Sequence, residues 1–508
     1  MLTTPVPSVL SRSPRSRKFI DLTPLSPADG PRKDAVESLQ KQIDYYVGET
    51  YRLRSARNSH APVSRLPAEL LTEAFLQIVE SGLQVGKTYF ATGTFNFLQV
   101  CKHWNEMAVN FPQLWRWWVA GAVKAWSLFN SRSKDTPLTL TWRPQIPISA
   151  RGILRDPTFP KRIHQLDFVG TGRQLARFSD AFDSNPPSNV SSIRLQISPH
   201  DGPEPREDLA RFLSSPFPKL SQLDLGNFLP DSSSSIFTTS NLTSLKLFLP
   251  YGRESFYTLS QFSKILHRHP NLQELDLGCG AMPLPGPTVS LVPPALPQLV
   301  SLRLHGRGAA ILGFVDLIGM SSPLHDVVIR FHHDPQPTVP ALGGIVARVL
   351  VAYYECQGLD HPRKLDHLTI SSSLERECLV FNARSRSAPT SNSKSNLRFQ
   401  FNGTGEFMGG AMVKKIFPLF PLSDLREFTA EGPVVCGDQY GEMFRMMKNL
   451  LHLRLDNQDI FPALEALSIG NQGSSRILTK PTSTHPSAHS RSVSTTLSKA
   501  GVVNPISP

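Results

Sequence analysis

Apolar residues along most of this chain recur in one short phrase. A leucine is followed three positions later by another and two positions after that by a third, at Leu220/Leu223/Leu225, Leu242/Leu245/Leu247, Leu272/Leu275/Leu277, Leu299/Leu302/Leu304 and Leu450/Leu453/Leu455. Looser copies stand at Ile163/Leu166/Phe168, Val190/Ile193/Leu195, Leu324/Val327/Ile329, Leu365/Leu368/Ile370 and Leu464/Leu467/Ile469, with a degenerate one at Leu422/Leu425/Phe428. The closing alternation has the period of a strand with one buried face. Intervals between copies carry helical stripes, such as Leu259, Phe262 and Leu266, or Tyr440, Met443, Phe444 and Met447. One strand and one helix cannot bury their apolar faces alone, whereas stacked units share a continuous core. The pattern therefore predicts a stacked strand-and-helix array over residues 161–470, interrupted by an exposed Ser- and Arg-rich loop at Asn382–Asn396.

The amino-terminal third has a helical pattern instead. Within residues 33–59, Val36, Leu39, Ile43, Tyr46, Thr50 and Leu53 alternate at spacings of three and four, the seam of a helix weakened by Gly48. Such a seam docks either on its own chain or on a second copy, and the first is the expectation for so short a run. Residues 60–126 predict two further helices. Pro67 suits a first helical turn, and Leu66, Leu70, Leu71, Phe75 and Ile78 form a stripe behind it. After a polar loop at Ser81–Thr94, Phe97, Val100, Cys101, Trp104 and Ala108 form the second stripe. Residues 127–160 read as a linker. Residues 1–32 and 471–508, dominated by Ser, Thr and Pro without periodicity, read as disordered tails.

Composition sharpens this picture. Of 508 residues 40% are hydrophobic, enough for a packed core, and the formal net charge is +12. Most of that excess lies in the tails, in Arg12, Arg15, Arg17 and Lys18 and in Arg476, Lys480, Arg491 and Lys499, with no acids beside them. No aromatic residues interleave with these charges, which argues against a nucleic-acid partner. The five cysteines are scattered without a Cys-x-x-Cys pair, so neither a disulfide framework nor a zinc site is expected and a reducing, intracellular setting, cytoplasmic or nuclear, fits. No apolar run is long enough to span a membrane: the nearest, Pro340–Tyr354, is interrupted by Arg348. Nucleophile elbows, phosphate loops and His-Glu-x-x-His are missing, so no catalytic residue, metal or cofactor is expected.

Three blocks in order carry a resemblance. Leu66-Pro67-Ala68-Glu69-Leu70-Leu71, then Leu98-Gln99-Val100-Cys101-Lys102-His103-Trp104, then Pro112-Gln113-Leu114-Trp115 resemble the F-box motif, and the strand-and-helix array resembles irregular leucine-rich repeats, a combination found in large fungal F-box families. The loop after the first helix is longer than usual for the motif. The array also lacks the Asn that commonly follows the strand, with Phe228, Gly280, Arg307 and Gln458 at that place. The resemblance implies an α+β protein: a small three-helix module followed by an irregular leucine-rich-repeat solenoid. It also implies a non-catalytic substrate receptor of a ubiquitin ligase, whose module binds a Skp-type adaptor and through it a cullin–RING complex. Leu66, Pro67, Leu70, Leu71, Val100, Trp104 and Trp115 are then candidates for adaptor contact or for module core. The repeats would hold an unknown protein substrate on outward strand positions, among them Gln222, Asp224, Ser244, Lys246, Glu274, Asp276, Ser301, Arg303, His452 and Arg454, with Arg303 and Arg454 as candidate phosphate partners. The alternative is a repeat scaffold, or an adaptor-binding protein, that serves no ligase.

Overall fold

The computed structural model describes residues 30–84, 95–119, 126–143, 158–180, 182, 187–198, 210, 212–238, 241–249, 257–283, 292–318, 324–332, 339–354, 364–373, 378–386, 394–402, 413–431, 437–456, 476–478 and 493–499. The chain divides into two compact units, Met1–Asn110 and Phe111–Pro508.

The first unit is helical. Helix α1 spans Gly30–Ser59, α2 spans Ala68–Gln84 and α3 spans Lys102–Val109, with single 3-10 turns at Pro62–Arg65 and Asn96–Gln99. Pro67 stands just ahead of α2 and its carbonyl accepts the Leu71 N–H at 3.1 Å, so the missing proline N–H costs no bond. Leu71, Thr72, Phe75 and Val79 form the buried face of α2. Phe75 stacks on Phe97 with ring centroids 4.4 Å apart and meets Trp104 edge-on at 5.2 Å. The single helix expected over 97–108 is broken. Cys101 adopts extended backbone (φ −160°, ψ 167°) and starts α3 afresh. The carbonyls freed at the break find side-chain donors: Asn58 Nδ2 donates to Val100 O at 2.9 Å and Asn105 Nδ2 to Leu98 O at 3.0 Å. The α1 seam departs from expectation too. Val36, Leu39, Ile43, Tyr46 and Leu53 are each more than half exposed, so no described residue of the helical unit buries them.

The second unit is built on one sheet. Its strands are β1 (Trp117–Val119), β2 (Leu138–Trp142), β3 (Ile163–Gly170), β4 (Ser192–Ile197), β5 (Gln222–Gly226), β6 (Ser244–Phe248), β7 (Glu274–Leu277), β8 (Ser301–Gly306), β9 (Asp326–Phe331), β10 (Lys364–Ser373), β11 (Cys378–Arg386), β12 (Lys394–Asn402), β13 (Glu427–Glu431), β14 (His452–Asp456), β15 (Arg476–Leu478) and β16 (Val493–Lys499). From β1 to β9 each strand lies parallel to the next in chain order, a stack of successive units. Register follows the leucine phrase: Leu166, Ile193, Leu223, Leu245, Leu275, Leu302 and Val327 align across the strands, as do Phe168, Leu195, Leu225, Leu247, Leu277, Leu304 and Ile329. All fourteen are buried.

Helices pack over the apolar side. They are α4 (Trp126–Ser133), α5 (Gly172–Ser179), α6 (Leu259–His267), α7 (Gly308–Ile318), α8 (Val339–Tyr354) and α9 (Gly437–Met446). Phe178 of α5 lies 5.6 Å from Phe168 of β3, and Phe262 of α6 lies 5.5 Å from Phe314 of α7. Both α5 and α6 open on reciprocal caps, Thr171 with Gln174 and Thr258 with Gln261. On α8, Arg348 pairs with Asp316 of α7, and no helix among the described residues is long and apolar enough to cross a membrane.

The structure moves several expected boundaries. The stretch 127–160 is no linker, since α4 and β2 lie in it. Leu138, Leu140 and Trp142 alternate into the core and carry the strand without the preceding leucine of the phrase. The sheet already begins at Trp117, inside the span assigned to the helical module. Within Asn382–Asn396, residues 382–386 and 394–396 are strand rather than loop, because Leu379, Phe381, Ala383 and Ser385 on β11 and Leu397, Phe399 and Phe401 on β12 alternate inward; residues 387–393 lie outside the described residues. Here β10, β11 and β12 form an antiparallel meander inserted backwards, so that β12 pairs with β9 and β10 with β13. Within the tail read as disordered, β16 pairs antiparallel with β14, and β15 with β16. The edge of β14 pairs with a segment rich in Ser and Thr. The copy at Leu464/Leu467/Ile469 and the tail 1–29 lie outside the described residues.

Candidate functional site

Two surfaces present unpaired chemistry, one on each unit. On the helical unit, α2 is apolar on more than its buried face. Leu70 and Ile78 on α2 are 57% and 49% exposed, and Leu66, in extended backbone just ahead of the helix, is 39% exposed; Val63 and Val100 are exposed as well. Leu70 and Ile78, two steps of four apart, lie along one flank of the face that holds Leu71, Phe75 and Val79. Val100 lies at the same end as the start of α2, because Asn58 binds its carbonyl and the chain turns at once from Asn58 into Pro62–Arg65.

The seven candidates for adaptor contact or module core thus separate by exposure. Leu66, Pro67, Leu70 and Val100 are exposed. Leu71 is core, and Trp104 is half-buried against Phe75. Trp115 belongs to the second unit, where it is buried, packs edge-on against Phe129 at 5.3 Å and carries the Arg132 guanidinium 4.5 Å above its ring. Of the two roles open to it, core is the one it takes, in the sheet unit rather than in the helical module. Ile78 and Val63, absent from that set, are exposed apolar residues as well.

On the sheet unit, the face opposite the buried leucines is a ladder of opposed charges. Arg143 donates to Asp167 at 2.6 Å, Arg194 lies 3.4 Å from Asp224, Lys246 lies 2.8 Å from Glu274, and Arg303 lies 2.8 Å from Asp326. Burial pushes the carboxyls of Asp224 and Asp276 above the usual carboxylate range despite neighbouring cations. Glu274 is also desolvated, yet hydrogen bonds from Lys246 and Ser244 and the nearby Arg303 hold it below that range. Arg303, expected as a phosphate partner, is thus already matched by a carboxylate; Arg454 stands exposed on β14.

Beyond Arg303 the balance changes sign. His305 of β8 sits opposite Arg330 of β9, and Arg398 of β12 sits opposite Val328, one step along the same face. Burial, with Arg330, His332 and Arg303 around it, pushes His305 down to about 4, so the ring is neutral at pH 7. Among the described residues, Arg330 has no carboxylate partner and the Arg398 side chain meets only the Gln400 amide, at 3.5 Å. Neither arginine was a candidate in the sequence, because the β9–β12 neighbourhood joins segments separated by a helix and two strands. Among the described residues no group of His, Cys, Asp and Glu could hold a metal ion. No known family model matches this chain, and no curated protein matches it.

Proposed function

We propose that this protein is the substrate-receptor subunit of a cullin-type ubiquitin ligase, with an F-box-like helical unit that binds a Skp-type adaptor and a leucine-rich-repeat-like solenoid that binds the protein to be modified. The observation that carries the reading is a set of apolar side chains left exposed, Leu70 and Ile78 on α2 and Leu66 just ahead of it, beside a helix that already has a buried face. A helix needs one apolar face to fold; a second, uncovered one serves a partner, by docking of apolar side chains into a groove. The Leu-Pro-x-Glu-Leu-Leu opening supplies Leu66 and Leu70 to this exposed set and Leu71 to the core. The sheet unit supports the other half: a broad polar face on a stacked parallel array suits protein capture, and the cationic pair Arg330 and Arg398 midway along the sheet suits an acidic segment. Catalysis in such an assembly belongs to the partners, and this chain contributes proximity. The setting for this role is intracellular.

The test is capture of the Skp-type adaptor and cullin by the tagged full chain, beside Leu66→Ala/Pro67→Ala and Leu70→Asp. Truncation of exposed anchor residues should weaken adaptor capture roughly tenfold or more, with melting unchanged because these side chains lie outside the core. Capture of neither partner by the wild type would instead leave a repeat scaffold; capture of the adaptor without the cullin would leave an adaptor-binding protein without ligase function.

A further inference from the structure

Helix α1 runs for 30 residues and leaves a continuous apolar seam uncovered. Assigning Val36 to heptad position a places Val36, Ile43 and Thr50 at a and Leu39, Tyr46 and Leu53 at d. Every a residue is β-branched and two of three d residues are leucine, the combination that favours two parallel strands over higher assemblies. The polar members fit burial. Thr50 Oγ1 already donates to the Tyr46 carbonyl at 2.8 Å, so enclosing it orphans no hydroxyl. Gly48 falls at the outermost position f, where a side chain would meet nothing within 4 Å, so its small size does not weaken the seam packing.

Flanking charges choose the orientation. In a parallel pair each g residue faces the e residue of the partner's next heptad, which sets Glu49 against the partner's Arg54, opposite in sign. In an antiparallel pair e faces e, which sets Lys33 against the partner's Arg54, like charges. Glu49 is bound to Arg52 of its own helix at 3.0 Å, but that exposed pair is weak and can be exchanged.

We propose that α1 joins two copies of this chain in a parallel two-stranded coiled coil. The dimer itself does not depend on the adaptor reading; its consequence for capture rests on the proposed function. Each copy would bring its own helical unit and sheet, giving a divalent receptor whose two capture surfaces raise avidity for a substrate with two sites.

The experiment is analytical ultracentrifugation of the full chain over a concentration series, with three kinds of variant. Wild type should sediment at twice the chain mass, and Ile43→Asp at the chain mass. Because a charge in α1 could also loosen the helix, Glu49→Arg and Arg54→Glu are compared singly and together: each alone should weaken dimerisation, and the pair should restore it. Val36→Cys and Leu53→Cys then report direction, since the two positions lie about 25 Å apart along the helix. A parallel coil forms disulfide-linked dimers from either variant alone. A monomeric wild type, an Ile43→Asp variant that remains dimeric, no rescue by the charge swap, or cross-linking only in a mixture of the two cysteine variants would each overturn the proposal.

Discussion

His305 makes the stability of the sheet unit depend on pH in a way that can be worked out in advance. The ring is partly buried on β8, faces Arg330 across the strand pair, and is pushed from its ordinary 6.5 to about 4, chiefly by burial and then by Arg330, His332 and Arg303. Unfolded, the imidazole takes up a proton near pH 6.5; folded, it refuses one until about pH 4. Between those values the unfolded chain binds more protons, so folding stability rises with pH across the window. The contribution is complete above pH 6.5, is lost progressively as pH falls, and levels off below about 4. At about 1.36 kcal/mol per pH unit the gap is worth roughly 3 kcal/mol, an upper bound that solvent screening of a partly exposed ring reduces to roughly 1–2 kcal/mol. His305→Gln removes the titration and keeps a polar side chain. Urea unfolding of both proteins at steps between pH 4 and 7.5 should therefore show a difference in free energy that grows toward low pH in favour of the variant. His332, also held below its ordinary value by burial and Arg330, stays common to both. Arg330→Gln should recover only a minor part, because burial is the larger cause. Parallel pH profiles for wild type and His305→Gln would refute the argument.

Other outcomes follow from packing. Trp115→Ala should cost about 3–5 kcal/mol and lower the melting temperature of the sheet unit while leaving adaptor capture intact; loss of capture without loss of stability would return Trp115 to the contact surface. Asn227 holds a left-handed backbone at φ 67° and donates its amide to Ile197 O at 2.6 Å, with its N–H bonded to Phe248 O. Asn227→Ala should cost about 2–3 kcal/mol, from backbone strain plus a lost bond, and Asn227→Gly only about 1, as read from urea midpoints; equal costs would remove the strain argument.

Much of this architecture was legible in the chain. Seven successive leucine phrases, from Ile163 to Leu324, fall on β3 to β9, and their inward residues align across the sheet, because an alternating strand buried on one face has no other register open to it. The stripe read for α2 is split by the structure: Leu71 and Phe75 are core, while Leu66, Leu70 and Ile78 are exposed. Asn227 shows the limit of counting. It donates its side-chain amide to Ile197 of the neighbouring strand, one residue before the place where the resemblance expects an asparagine.

What the sequence alone determined was periodicity: which residues share a face of a strand or helix, since that depends on local geometry. Which face is covered, and by what, was decided only in three dimensions. Leu70 and Leu71 are adjacent and alike, yet one is exposed and the other is core, because only one of the two helix faces meets Phe97 and Trp104. Trp115 belongs to the sheet unit rather than to the helices it follows, and Arg330 comes beside Arg398 because a meander enters the sheet backwards. Arg303 looked free in the chain and is neutralised by Asp326 of the next strand. These are long-range pairings, set by the burial of whole strands and helices, and no local pattern of residues encodes them.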